Sequence, residues 1–414
     1  MTERDFSIQI IRRLRDAGFE AYWAGGCVRD HLLGRAPADY DVATSAEPAQ
    51  VTPLFRHTLQ IGAAFGVVQV VGPRIGDQPP LSCEVATFRT DGSYTDGRRP
   101  DSVRYCSAEE DAQRRDFTIN GMFYDPIDGR LIDYVGGEAD LQAKVLRAIG
   151  NPTARFTEDK LRLLRGIRMA MRFDLAIETE TAAAIQQMAS QIGVVSAERI
   201  SDELHKIADH PRRAAGFQSL LEFGLLATIF PEFAESATDS DAWTEVIQSL
   251  QCLPRHASFP LVMASLFQLR TDAEVRRTAQ RLRLSNEERD RWSWLHAHRS
   301  KLLDWQQLPL HQQKRLVVHP GFPELAQLVE SHAAATGTST DPVTAAQAML
   351  ATTPRERLDP PVLLTGDDLT AFGLKPGPMF KRLLDAIRVA QLDEEISTPE
   401  AAWDRIHTLL QSHS

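Results

Sequence analysis

The sequence is poor in several features that would have placed it quickly. It has four cysteines, Cys27, Cys83, Cys106 and Cys252, scattered without any paired spacing, which excludes a disulfide framework and a cysteine-built zinc site. No apolar run approaches the roughly 18 to 20 residues of a membrane span. The amino terminus, "MTERDFSIQIIRRLRDAGF", carries acids early and lacks an unbroken apolar stretch, so it reads as an amphipathic helix rather than a secretion signal. A reducing, cytoplasmic setting is expected. Excess positive charge is missing too: 46 Lys+Arg stand against 56 Asp+Glu, a net charge of −10. That argues against a protein that coats nucleic acid unspecifically, while leaving room for a local basic groove.

What is present is a folded chain of 414 residues, 43% hydrophobic and 25% charged, too long for one ordinary core. Up to about residue 135, short β-type runs alternate with turn signals: "FEAYWAGG", "GVVQVVG", "LSCEVATFR", "SVRYC" and "RLIDYVGG". The segment "CVRDHLLG" among them is a helix closing at Gly34. From about Lys144 onward 3.6-residue apolar spacing takes over. The expected fold class is therefore α+β, with a small mixed sheet in the head followed by an all-α remainder. Four segments are expected: a head over 1–136, a helical neck over 137–210, a helical body over 211–335 and a helical tail over 336–414. The segment "ESHAAATGTSTDP", 330–342, has the composition of a linker before the tail.

The stretch "WAGGCVRDHLLGRAPADYDVA", residues 23–43, carries the chemistry. Asp39 and Asp41, at i and i+2 in an extended segment, project to one face roughly 6 to 7 Å apart. Gly25-Gly26, between a strand and a helix, lets backbone N–H groups approach an anion, and Arg29 lies one turn into that helix. Two carboxylates beside a phosphate-binding turn suit hard cations such as Mg²⁺, which share carboxylate and phosphate oxygens. Glu84 is the candidate third carboxylate, since in "LSCEVATFR" it shares a face with Ser82 and Ala86 and opposes Cys83 and Val85. An edge-strand glutamate facing water would show the same pattern.

These motifs together resemble the bacterial tRNA nucleotidyltransferase and poly(A) polymerase family, within the polymerase-β-like nucleotidyltransferases. The resemblance rests on Gly25 to Asp30 and Asp39-Tyr40-Asp41, then, in order, "RRDFTINGM" at 114–122, "DYVGG" at 133–137, "EDKLRLLRGIR" at 158–168 and "SAERISDEL" at 196–204. It is strong over about 20–230, and "LLTGDDLTAFGLKPGPMFKRLLDAI" at 363–387 is similar to the tail of many members. The resemblance implies that Asp39 and Asp41 bind two metal ions, that Gly25, Gly26 and Arg29 hold a triphosphate, and that Glu84 completes the catalytic set. It assigns Arg114, Arg115, Asp116 and Asn120 to phosphate and ribose. Asp159 and Arg162 match the pair that hydrogen-bonds the incoming base, with Arg165 beside them.

On the residues alone, "RFTEDKLRLLRGIRMAMR" contains an amphipathic helix with Thr157 as its N-cap. Leu163, Leu164, Ile167, Ala170 and Met171 form its apolar face, and Arg162, Arg165, Arg168 and Arg172 a basic face that is ordinarily solvated. The loop "RTDGSYTDGRRP", with Arg89, Asp91, Asp96 and Arg98, is either an inert surface loop or, by the resemblance, the segment that switches specificity from C to A. Lys375, Lys381 and Arg382, around the "GLKPGP" turn, are placed either to grip RNA phosphates or simply on an interhelical turn. The expected activity is addition of CCA to a tRNA 3′ end from CTP and ATP, with Mg²⁺ as cofactor and tRNA as partner. Poly(A) synthesis, A addition alone and a catalytically silent RNA-binding module are the alternatives.

Overall fold

A computed structural model describes residues 1–62, 66–72, 74, 79–92, 103–234 and 240–411. The chain divides into two compact units, 1–237 and 238–414.

The first unit opens with α1 (Glu3–Asp16). Thr2 starts this helix with a reciprocal capping box: its hydroxyl accepts from the Asp5 amide at 3.1 Å, and the Asp5 carboxylate accepts from the Thr2 amide. Phe6, Ile10, Ile11 and Leu14 turn inward. The strands that follow are β1 (Ala21–Ala24), β2 (Val42–Thr44), β3 (Thr58–Gly62), β4 (Val67–Val71) and β5 (Ser82–Thr87). After them come β6 (Arg89–Asp91), β7 (Val103–Tyr105), β8 (Phe123–Asp125) and β9 (Arg130–Ile132). Seven form one mixed sheet, ordered β3-β4-β5-β2-β1-β8-β9, while β6 and β7 pair separately. Only β2 and β5 run parallel in the large sheet, with Val42 beside Val85 and Ala43 beside Ala86. Trp23 of β1 is fully buried, and its indole N–H donates to Ser7 Oγ of α1 at 2.9 Å, fixing helix to sheet.

Around this sheet lie α2 (Gly26–Leu32), α3 (Pro48–Val51), α4 (Ala108–Gln113) and α5 (Gly137–Gln142). The helical part begins with α6 (Pro152–Glu158), α7 (Leu161–Phe173), α8 (Thr179–Met188), α9 (Ala197–Ala208), α10 (Arg213–Glu222) and α11 (Leu225–Ile229). Strand signal survives there only as the two-residue parallel pair β10 (Val145–Leu146) and β11 (Ala176–Ile177). The helix expected to start from Thr157 does not form there: α6 ends at Glu158 and α7 starts at Leu161, with the backbone extended at Asp159 between them. Thr157 is not an N-cap: it lies inside α6, and its hydroxyl returns to the Thr153 carbonyl. Asn151 caps α6, and the Asp159 carboxylate accepts from the Leu161 amide at the start of α7. The arginine face of α7 is solvated only at Arg172, since Arg162 and Arg168 are buried and Arg165 is half-buried.

The second unit is helical throughout its described residues. It contains α12 (Ser240–Cys252), α13 (Phe259–Leu266), α14 (Asp272–Arg281), α15 (Asn286–Leu303), α16 (Leu310–Val318) and α17 (Phe322–Thr336). Then follow α18 (Asp341–Thr352), α19 (Arg355–Leu358), α20 (Gly366–Ala371), α21 (Pro378–Leu392) and α22 (Pro399–Gln411). The expected linker over 330–342 is mostly helix: α17 runs through to Thr336 with Ser331 and Ala333 buried, and only 337–340 connect it to α18. Its alanines are strong helix formers, and Gly337, at φ +71°, ends it. Leu369, Leu383, Ile387, Ala402 and Ile406 form a small core among the last three helices.

Within the first unit, ion pairs tie α7 to its neighbours. Arg165 of α7 grips Asp116 through Nε at 3.0 Å and Nη2 at 2.6 Å. Arg168 pairs with Glu203 of α9, both buried. Burial pushes the Asp116 carboxyl up, but Arg165 more than offsets it and holds the group well below the usual carboxylate range. A depressed carboxyl contributes stability that is complete above its unfolded value, about 3.9, and is lost as pH falls towards the folded one. Asp116→Asn is therefore expected to destabilise the protein at pH 7 by about 3 kcal/mol. It should also flatten the loss of urea stability between about pH 5 and pH 3. Gly137 makes a second test. A Cβ there would overlap the Thr118 carbonyl oxygen and meet Met122 Cγ at 2.8 Å, so Gly137→Ala should lower stability by about 1–3 kcal/mol in the same measurement.

Candidate active site

A cleft of about 550 Å³ opens over one end of the sheet, bounded by the strands and by α2, α7 and α9. Its sheet side is floored by Ala24, Ala43 and Ala86, whose small side chains leave the space empty. Asp41 is pinned by the ladder itself: its carbonyl accepts from the Ala24 amide at 3.0 Å, extending the pairing of β1 with β2. Asp39, two residues earlier, is exposed and lines the same cleft. Glu84 is not on an edge. Strand β5 lies between β4 and β2, and its alternation turns Glu84 outward into the cleft while Cys83 and Val85 are buried.

The structure thus brings Asp39, Asp41 and Glu84 together. Among the described residues, none of the three side chains has an ion-pair or hydrogen-bond partner. Burial, with the charges of Asp39 and Glu84 close by, pushes the Asp41 carboxyl up to about 6, against a smaller opposing pull from Arg115. Among the described residues no three His, Cys, Asp or Glu side chains form a ready-made metal cage. The donor set fits a hard divalent cation that takes part of its oxygen shell from these carboxylates and the rest from a bound phosphate.

Gly25, at φ +72°, turns the chain from β1 into α2. A side chain there would press on Arg115 Nη1, 3.2 Å from the ideal Cβ position. Arg29 lines the cleft, but its guanidinium is buried and engaged. It donates to Asp30 Oδ1 at 3.0 Å and to Asn120 Oδ1 at 2.6 Å, and lies 4.0 Å from the Phe173 ring centre. Its structural work is to fasten α2 to the end of α7.

The arginine side of the cleft is also paired. Arg114 and Arg115 both clamp Asp111 of α4, at 2.7 and 2.9 Å. Asp116 Oδ1 accepts from the Phe117 amide and from Asn120 Nδ2, so Asp116 and Asn120 brace each other at the cleft wall. Asp159 and Arg162 line the cleft; the Arg162 amide donates to the Asp159 carbonyl at 3.0 Å, but each side chain is engaged elsewhere. Asp159 receives Arg199 of α9 at 3.1 and 2.6 Å. Arg162 donates to Glu158 at 2.7 Å and to the Arg155 carbonyl at 3.0 Å. Asp111, Glu158 and Arg199 were missed as partners on sequence, although all three lie in or beside quoted motifs. For Asp111 and Glu158 the available signal was an acid one helical turn from an assigned arginine.

Arg89 opens β6, and its carbonyl accepts from Arg114 Nε at 2.8 Å, joining the loop's root to the arginine side. Asp96 and Arg98 lie outside the described residues, as does the side chain of Asp91. Lys375, Lys381 and Arg382 are exposed in the second unit, on the turn before α21 and along its first turns.

Comparisons with known proteins follow this geometry. Residues 21–147 match the poly A polymerase head domain, and 174–236 match the segment described as "Probable RNA and SrmB- binding site of polymerase A". The chain is 39% identical over 256 residues to a CCA-adding enzyme of Enterococcus faecalis, covering 58% of this chain and 61% of that one. It is 39% identical over 246 residues to poly(A) polymerase I of Salmonella typhi, covering 56% and 51%. It therefore spans about half to three fifths of the length of these curated relatives. Among solved structures, the CCA-adding enzyme of Bacillus stearothermophilus in complex with CTP superimposes with a TM-score of 0.75 at 28% identity, over 100% of both chains. The chain therefore carries a poly A polymerase head domain with the segment that accompanies it, and it is similar to CCA-adding enzymes and to poly(A) polymerase I.

Proposed function

We propose that this protein adds CCA to the 3′ end of tRNA without a nucleic-acid template, using CTP and ATP and releasing pyrophosphate. The observation that carries this reading is that one cleft holds both an unpartnered carboxylate trio and, facing it, a separate acceptor and donor, Asp159 and Arg162. In the reaction the terminal tRNA hydroxyl attacks the α-phosphorus, and the bond to the β-phosphate oxygen breaks. Two Mg²⁺ ions held at Asp39 and Asp41 would supply the positive charge that such a displacement needs at its attacking and leaving oxygens. Glu84 completes the acidic side nearest the hydroxyl. The Gly25-Gly26 turn gives the triphosphate close backbone approach, and Arg114 and Arg115, with Asp116 and Asn120 behind them, border the sugar and phosphates. Arg29 holds α2, and with it that turn, in place.

Base choice follows from donor and acceptor arithmetic. Asp159 only accepts and Arg162 only donates. Together they match the ring acceptor and amino donor shared by cytosine and adenine. Uracil and guanine present the reverse and would leave buried groups unpaired. Arg199 and Glu158 hold the two residues in position, and Arg165, locked on Asp116, keeps α7 against the segment that follows α4. We assign the loop rooted at Arg89, including Asp91, Asp96 and Arg98, to the change from C to A. Lys375, Lys381 and Arg382 are assigned to the tRNA backbone, in a division of labour between head (1–136), neck (137–210), body (211–335) and tail (336–414). No described helix is long and apolar enough to cross a membrane, and with every cysteine free we place the enzyme in the cytoplasm beside its tRNA.

Poly(A) polymerase I matches a similar length of the chain at the same identity as the E. faecalis CCA-adding enzyme, so these likenesses do not separate the two readings. The full-length likeness to the B. stearothermophilus enzyme favours CCA addition. Purified protein offered tRNAs ending before the CCA, after C and after CC should extend each to CCA and stop. Long A tails would mean a poly(A) polymerase, and growth of the CC-ended tRNA alone a dedicated A-adding enzyme. Asp41→Asn should lower incorporation of both nucleotides by about 10²–10³-fold while tRNA retention on a filter is unchanged. Arg162→Ala should instead narrow the preference for CTP and ATP over UTP and GTP by at least about tenfold, read from initial rates with each triphosphate alone.

A further inference from the structure

The second unit contains a pocket of about 360 Å³ between α15 and α16 whose chemistry is unlike the rest of this acidic chain. Its floor is aromatic. The Trp294 indole lies nearly parallel to the His319 imidazole, ring centres 3.8 Å apart at 10°, and to the His298 imidazole at 4.7 Å and 21°. Gly321 lets the chain cross this stack, because a Cβ there would meet the Trp294 ring at 2.8 Å. Lys301 and Arg315 line the pocket and are exposed. Among the described residues neither has an ion-pair partner, and no carboxylate lines the pocket.

The imidazoles are fixed in complementary ways. His298 Nδ1 lies 2.9 Å from the Trp294 carbonyl and donates to it, which leaves Nε2 as an acceptor. His319 Nδ1 accepts from the Gly321 amide at 3.0 Å, which leaves Nε2–H as a donor. Burial holds both rings below the ordinary histidine value, helped by Lys301 at His298 and by Arg291 at His319, so both are neutral at pH 7. His311 is held from behind, Nδ1 against Asp393 Oδ2 at 2.8 Å. One small pocket therefore offers a flat aromatic surface, imidazole edges that both donate and accept, and two free cations.

We propose that this pocket binds a nucleoside 5′-phosphate unit, its phosphate between Lys301 and Arg315 and its base against the Trp294–imidazole rings. A simple anion would use the cations and leave the aromatic floor empty. A heteroaromatic base with an attached phosphate uses all of it, as in stacking platforms for unpaired nucleotides. The unit can come from a free mononucleotide or from an unpaired position in an RNA. The pocket lies in the second unit, so the proposal stands or falls independently of the chemistry assigned to the head cleft.

The test is ¹⁹F NMR of the full chain labelled with 5-fluorotryptophan, without Mg²⁺, the Trp294 resonance being assigned through Trp294→Phe. The probes are AMP, inorganic phosphate and a single-stranded hexaribonucleotide ending in a 3′-phosphate. AMP and the hexanucleotide should shift the Trp294 resonance saturably, and phosphate should bind at least about tenfold more weakly. The exposed double substitution Lys301→Glu/Arg315→Glu should weaken both by about tenfold or more, with the other fluorotryptophan signals in place as proof of folding. Hexanucleotide binding about tenfold tighter than AMP would support the site with RNA as its source, and equal affinity would support it with free nucleotide. No shift with any probe at millimolar concentration would overturn the proposal. So would phosphate acting as well as AMP, or full binding by the folded double variant.

Discussion

Asp39, Asp41 and Glu84 repel one another, and the sheet holds them together regardless. Asp41 continues the β1–β2 ladder and Glu84 sits on the neighbouring parallel strand, so neither can move away without breaking backbone hydrogen bonds. The result is a carboxyl pushed up to about 6 at Asp41 and a local need for positive charge. Repulsion maintained by secondary structure is the mark of a site built for a charged visitor rather than for stability. The alanine floor serves the same end, because larger side chains at 24, 43 and 86 would fill the space the visitor needs.

The opposite wall obeys the reverse rule. Each arginine that faces the carboxylates is already matched: Arg114 and Arg115 by Asp111, Arg165 by Asp116, Arg162 by Glu158 and Arg29 by Asp30 with Asn120. The pairing keeps long side chains in single conformations, so that donors are preorganised and the wall does not collapse onto the acids. Charge imbalance is thereby confined to one side of the cleft. A bound nucleoside triphosphate with its cations would restore balance there without dismantling the network.

Much of this was legible in the sequence, for identifiable reasons. Gly25-Gly26, Asp39-x-Asp41 and the in/out alternation around Glu84 are local patterns, set by φ and by the period of a strand, and the structure puts all of them on one cleft. The family motifs lay in the order the fold uses. Short strands were harder: β2 and β8 have three residues each, too few for a period to show, and their strand character comes from the neighbours they pair with. The break at Asp159 was hidden because the apolar spacing of α7 says nothing of where the helix before it ends. The alanines before Gly337 were read with the polar residues after it, which lost the end of α17. The long-range pairing of the arginines was invisible for a different reason. Asp116–Arg165 and Asp159–Arg199 join residues 49 and 40 positions apart, and nothing local announces such a contact.

The most direct test of this account is a crystal structure of the full chain with CTP and Mn²⁺, located by anomalous scattering. The account predicts manganese at Asp39 and Asp41 between the carboxylates and the triphosphate, with the cytosine edge within hydrogen-bond distance of Asp159 and Arg162. Manganese elsewhere, or a base lying away from that pair with Asp159 and Arg162 still wholly engaged by Arg199 and Glu158, would contradict it.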